Sequence, residues 1–150
     1  VGDGELWEEL HVEVARMGLE ERVHFTGWRS DLAEVYSDLD IVVCCSRNEG
    51  TPVSLIEACA AARCVIGTQV GGIADIIAPG VNGLLVPSGD STALAAAIQD
   101  LISDPARRKA MGKTGQRMAL ERHGSDRMVT ELKEVYRGLL EATVIKPMPT

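Results

Sequence analysis

A chain of 150 residues with 45% hydrophobic side chains and a mean hydropathy near zero is long enough to bury a core without disulfides or metals. Its formal net charge of -7 repels nucleic acid and anionic lipid surfaces on average, which argues against both as partners. No apolar run reaches the ~20 residues of a membrane span and nothing at the start has the pattern of a signal peptide, so a cytoplasmic setting is the default expectation.

The sequence opens on Val1, not a natural initiator, and on a strand-like end at Gly2-Asp3-Gly4, so it reads as a fragment of a longer protein. Residues 23–26 read as a strand, followed by a loop over 27–31 that holds Trp28 and Arg29 and by a helix over 31–37. Asp38-Leu39-Asp40 has the D-x-D form of some metal sites. It lies at a helix end before a strand, where ending the helix is the better reading. Residues 41–46 have the length and β-branched content of a buried strand. Thr51 followed by Pro52 then supplies an N-cap and a first helical residue that needs no N–H donor, with the helix running over 52–62.

Residues 64–68 and 83–86 read as further strands, each leading into a helix, over 73–78 and 92–103. Val81-Asn82-Gly83 has turn chemistry, and Asp104-Pro105 separates two helices. The helix after Asp90 carries Leu94, Ile98, Leu101 and Ile102 on one stripe; a late helix carries Met128, Leu132, Val135, Tyr136, Leu139 and Leu140. Both stripes read as docked faces. Residues 144–150 read as a flexible tail. Cys44, Cys45, Cys59 and Cys64 show no CxxC spacing and sit in apolar runs, which favours buried, reduced thiols. The alternation predicts an α/β fold: a Rossmann-like parallel sheet with helices on both faces.

In such sheets ligands bind beyond the carboxyl ends of the strands. The loops there are 27–31, 46–52 and 68–73, holding Trp28 with Arg29, Glu49-Gly50 with Arg47, and Gly71-Gly72. The segment Asn48 to Ala58 stands out, because Glu49 and Glu57 flank a glycine and a helix start. Free N–H groups near Val53 and Ser54 favour an anion such as phosphate. Glu57 lies one turn beyond Val53 on the same face and Glu49 sits in the loop on the other side; one of the two carboxylates can accept from a ribose diol and the other from a second sugar. Gly50 reads as a place where a Cβ would obstruct both the turn and an approaching ligand. Gly71-Gly72 either brings backbone close to a ligand or turns the chain into the next helix.

The spacing Glu49-x7-Glu57 resembles the donor-site motif of retaining glycosyltransferases of the GT-B architecture, especially glycosyltransferase family 4. The resemblance also rests on Val1 to Gly4, Val23 to Gly27, Asp31-Leu32 with Tyr36, Asp40, Ser46, Val65-Ile66, Gly71-Gly72, Gly80 to Pro87 and Asp104-Pro105, in the family's order. It implies that residues 1–143 form a nucleotide-sugar donor-binding domain, the C-terminal half of the fold, without the domain's first strand and helix. It implies further that Glu49 meets the transferred sugar near the reacting carbon and acts as the catalytic residue. Glu57 would bind the donor ribose, with Gly50, Thr51, Pro52, Val53, Ser54, Gly71 and Gly72 around the phosphates and sugar, and Trp28 and Arg29 at the base.

The same resemblance implies transfer of a hexose from a nucleotide-diphosphate sugar to a hydroxyl acceptor, with no cofactor and no essential metal. The partners it implies are the nucleotide-sugar and an N-terminal acceptor-binding domain. Without that domain, and without the Arg and Lys that the family carries ahead of this point, the fragment is expected to be inactive. A sheet lacking its first strand is also expected to self-associate along the open edge. A nucleotide-sugar 2-epimerase of similar architecture and a non-catalytic flavodoxin-like binding domain are the alternatives. The family usually has glycine and proline at the end of the motif helix, where this chain has Ala62-Arg63-Cys64, so a differently built turn is expected there.

Overall fold

In the computed structural model, which describes residues 1–144, the chain divides into two compact units, 1–35 and 36 onward. The expected tail therefore lies almost wholly outside the described residues. The first unit is built on α1 (Trp7–Arg16), where Trp7 and His11, one turn apart, meet Phe25. The expected strands at Gly2 to Gly4 and at 23–26 do not form. A strand needs a ladder, and here the Gly2 N–H donates to Gly27 O at 2.8 Å without a run of paired neighbours. The apolar side chains Val23 and Phe25 are half-buried all the same.

The helix α2 (Leu32–Asp38) leads into the second unit, where β1 (Ile41–Cys44), α3 (Val53–Ala60), β2 (Cys64–Thr68), α4 (Ile73–Ile76) and β3 (Gly83–Val86) succeed one another. The strands form one parallel sheet in the order β1-β2-β3, with Ile41 beside Cys64 and Val65 beside Gly83. All five residues of β2 are buried, as a central strand covered on both faces requires. Alternation sends Cys64 and Ile66 toward Leu101 and Met111, while Gly67 faces Leu55, Ile73 and Ile77. The sheet thus has helices on both faces. Cys59 and Cys64 are buried free thiols as expected, but Cys44 is only half-buried and Cys45, one residue beyond β1, is exposed.

Two aspartates start the helices that come after β3. Asp90 accepts from Ala93 N–H at 2.8 Å and begins α5 (Ser91–Ser103); Asp104 accepts from Arg107 N–H at 2.9 Å and begins α6 (Pro105–His123), with proline in its first turn. Along α5 the residues Leu94, Ile98 and Leu101 pack on the sheet, whereas Ile102, expected on that stripe, is 54% exposed. The helix α6, expected after Asp104-Pro105, has little apolar periodicity. It packs through small residues: a Cβ on Gly112 would stand 2.1 Å from Ala62 O, and one on Gly115 would touch Cys59 and Asn82. Asn82 itself is 1% exposed. Its Oδ1 accepts from Ala78 N–H at 2.8 Å and its Nδ2 donates to Ile76 O at 3.0 Å, so a buried side chain takes the place of backbone partners in this turn.

The long helix α7 (Ser125–Val144) corrects a second expectation. Among the described residues most of its stripe is left uncovered: Met128, Leu132, Val135, Tyr136 and Leu140 are all more than half exposed, Leu132 least at 54%. Periodicity identifies a face able to be buried, not a partner to bury it. Among the described residues no helix is long and apolar enough to cross a membrane.

The turn ending α3 is not built differently after all. Ala62 adopts a left-handed φ of 59°, with Ala62 N–H donating to Cys59 O at 2.8 Å and Arg63 N–H to Ala58 O at 2.9 Å. That is the paired-bond helix end for which glycine is the usual choice. Close packing of Gly112 over Ala62 O holds the alanine there against a strain of about 1 kcal/mol. Ala62→Gly is therefore expected to raise stability by at most about 0.6 kcal/mol, the strain less the roughly 0.4–1 kcal/mol of unfolded-state entropy that glycine adds. Urea denaturation with an unchanged slope would measure it; a loss of stability would contradict the strain.

Candidate functional site

Beyond the carboxyl end of β1 the chain runs through Ser46 to Pro52 into α3. The helix begins one residue later than the sequence predicts: Pro52, with φ -74° and ψ 90°, is the N-cap, and Val53 is the first helical residue. Thr51, expected as the cap, instead precedes it and makes no side-chain hydrogen bond among the described residues. The proline ring fixes φ but leaves ψ extended, so the turn into the helix falls after Pro52. Its carbonyl already accepts from Leu55 N–H at 3.1 Å and Ile56 N–H at 3.3 Å. The N–H groups of Val53 and Ser54 have no acceptor among the described residues, and both residues are exposed. Two open donors thus stand at the positive end of α3.

Glu49 is held from below by the end of the sheet. Ser46 Oγ donates to Glu49 Oε1 at 2.8 Å, and the Cys44 thiol lies 3.9 Å from the same oxygen. Ser46 is fixed in turn by Thr68, the last residue of β2, whose buried hydroxyl donates to Ser46 O at 2.6 Å. This side-chain bond continues the β1–β2 pairing past the point where backbone pairing stops. Glu49 Oε2 has no partner among the described residues.

Glu57, one turn into α3, is half-buried and accepts from the Tyr36 hydroxyl of α2 at 3.1 Å through Oε2. Its Oε1 is without a partner among the described residues. Burial, and then the adjacent Glu57 carboxylate, push the Tyr36 phenol up to about 12, so it remains a donor at neutral pH.

Gly71 and Gly72 have a role that the sequence did not reveal. A Cβ on Gly71 would lie 1.9 Å from Glu49 O, one on Gly72 would lie 1.9 Å from Gly50 O, and Gly72 N–H donates to Glu49 O at 3.3 Å. Two loops lie backbone against backbone, and this pair of glycines makes room for the Glu49 loop. Gly50 is corrected in the opposite sense. It has no left-handed φ, and nothing stands within 4 Å of an added Cβ, so the turn itself does not require glycine.

Trp28 and Arg29 belong to the first unit. Trp28 is 76% exposed. Arg29 forms a two-pronged ion pair with Asp31, its Nε donating at 2.7 Å, which holds the Asp31 carboxyl below the usual carboxylate range. Arg47, in the Glu49 loop, is exposed and makes no ion pair among the described residues. Asp40 of the D-x-D segment pairs with Arg108 at 3.0 Å, and Asp38 closes α2, so both have structural employment away from the Glu49 loop.

Tyr36, Ser46 and Thr68 are the residues that sequence reasoning did not assign. Ser46 lies three positions before Glu49 and could have been suspected from that spacing; Tyr36 and Thr68 reach the site only through tertiary packing. Together the site offers two carboxylates, each tied at one oxygen and open at the other, beside two unpaired amides. Such a set can bind hydroxyls and an anion at once.

A parallel sheet covered on both faces, with this constellation beyond its strand ends, defines a Rossmann-like α/β domain. The chain belongs to the family of glycosyl transferases group 1, whose family model matches residues 1–104. It is 31% identical over 140 residues to the N-acetyl-alpha-D-glucosaminyl L-malate synthase of Bacillus anthracis, covering 93% of this chain and 37% of that protein. HepE of Anabaena, solved with UDP-glucose, matches with a TM-score of 0.85 at 29% identity over 91% of this chain and 39% of that one. The C-terminal domain of the group 1 glycosyl transferase LpcC from Francisella tularensis matches at 0.72 and 32% identity, over 81% and 64% of the respective chains. The chain therefore spans little more than a third of the length of the curated relative.

Proposed function

We propose that this chain is the donor-binding domain of a retaining glycosyltransferase that moves a hexose from a nucleotide-diphosphate sugar to a hydroxyl acceptor held by a separate N-terminal domain. The observation that carries this reading is the pair of tethered carboxylates, Glu49 and Glu57, flanking the open amides of Val53 and Ser54. The UDP-glucose complex of HepE, a similar structure, supports it.

In this reading the diphosphate lies against the start of α3, and Glu57 takes the ribose hydroxyls. Glu49 orients the sugar and favours the positive charge that develops at its reacting carbon. The acceptor attacks from the face the nucleotide leaves, and the departing diphosphate takes its proton, so neither a metal nor another cofactor is part of the scheme. Gly71 and Gly72 act by keeping the Glu49 loop in place. The isolated chain is inactive because the acceptor side is contributed elsewhere.

Ligand-observed NMR against UDP-, GDP- and ADP-sugars tests the donor assignment. Saturation transfer to ribose protons is expected for one base and is expected to vanish in Glu57→Ala. Transfer that persists unchanged in that variant would move the ribose site away from α3.

A further inference from the structure

Glu57 rides on α3, but the group that fixes its carboxylate comes from a different helix, 21 residues earlier in sequence. Tyr36 is buried to 9% exposure, so its ring has no freedom to swing, and its hydroxyl ends on Glu57 Oε2. A buried phenol hydroxyl needs an acceptor, and the one that Tyr36 finds is a carboxylate oxygen of Glu57. With Oε2 occupied, rotation of the carboxylate is restrained, and Oε1 is the oxygen left to receive a ligand hydroxyl. A carboxylate held this way before the ligand arrives loses less freedom on binding.

Resting on the nucleotide-sugar reading above, we propose that Tyr36 is a positioning residue that presents the Glu57 carboxylate to the ribose diol and so sets the preference of this site for ribonucleotides over deoxyribonucleotides. Tyr36 touches no ligand in this scheme. It acts through Glu57, and its contribution is confined to hydroxyls that Glu57 receives. Removing the phenol oxygen should therefore weaken the binding of a ribose and leave that of a deoxyribose nearly unchanged.

Calorimetric titration of this chain with UDP, GDP and ADP and with their 2′-deoxy counterparts tests it, in wild type, Tyr36→Phe, Glu57→Ala and the double variant. For the base that binds, the ribo form is expected to win by about tenfold or more in wild type, as a hydrogen bond to a charged acceptor allows. The ratio should fall roughly threefold to tenfold in Tyr36→Phe, approach one in Glu57→Ala, and fall no further in the double variant. Because both ligands are titrated on the same preparation, a reduced folded fraction cancels from the ratio. A Tyr36→Phe ratio equal to wild type, or equal losses for both sugars, would overturn the role of Tyr36 while leaving the donor reading intact. Absence of binding by any of the three in wild type at millimolar concentration would overturn the donor reading and this inference with it.

Discussion

Replacing Glu49 with Gln in the full-length protein is expected to lower kcat for sugar transfer by about 10²–10³-fold, with the KM for the donor changed much less. The substitution is close to isosteric. The amide oxygen can still accept from Ser46, which now donates to Oε1 at 2.8 Å, so the loop and its contact with Gly72 should survive. What disappears is the negative charge opposite a developing positive one, a loss of the size found when a preorganised electrostatic contact is removed. Glu57→Gln provides the contrast: its effect should fall on the donor KM, with kcat within a few-fold of wild type, because a ribose contact is made equally in ground and transition states. Steady-state kinetics on both variants would separate the roles. Full turnover by Glu49→Gln would remove Glu49 from the chemistry.

The largest effect on stability is expected from Asn82→Ala, at roughly 2–5 kcal/mol. Asn82 is 1% exposed and serves both Ile76 O and Ala78 N–H, so its truncation strands a buried acceptor and a partly buried donor together. It also opens space beside Gly115 of α6 and Cys59 of α3. At about 2–4 °C per kcal/mol for a chain of this size, thermal unfolding should fall by roughly 4–20 °C. Asn82→Asp should show why. At neutral pH its buried carboxylate cannot donate to Ile76 O and is costly to charge, whereas protonated it can donate. The folded state then binds a proton that the unfolded state has released, so this variant should gain stability relative to wild type as pH falls toward the ordinary carboxylate range. A variant as stable as wild type would show that water replaces the side chain at no cost.

The alternation of strand and helix, the bounds of β2 and β3, the aspartates that start α5 and α6, and the pairing of Glu49 with Glu57 around a helix start were all legible in the residues, because each depends on local backbone preference or on spacing along one element. What the residues could not decide needed a second segment of chain. Residues 23–26 have strand composition but no ladder; the α7 stripe has helical period but is mostly exposed among the described residues; Ala62 is left-handed where α6 closes over it, against its own preference. The carboxylates themselves obey the same division. Sequence placed them with seven residues between, while their orientation is decided by Ser46 and Thr68 at the end of the sheet and by Tyr36 from α2. A hydrogen bond is fixed within about 3 Å, and only packing brings segments distant in sequence to that range.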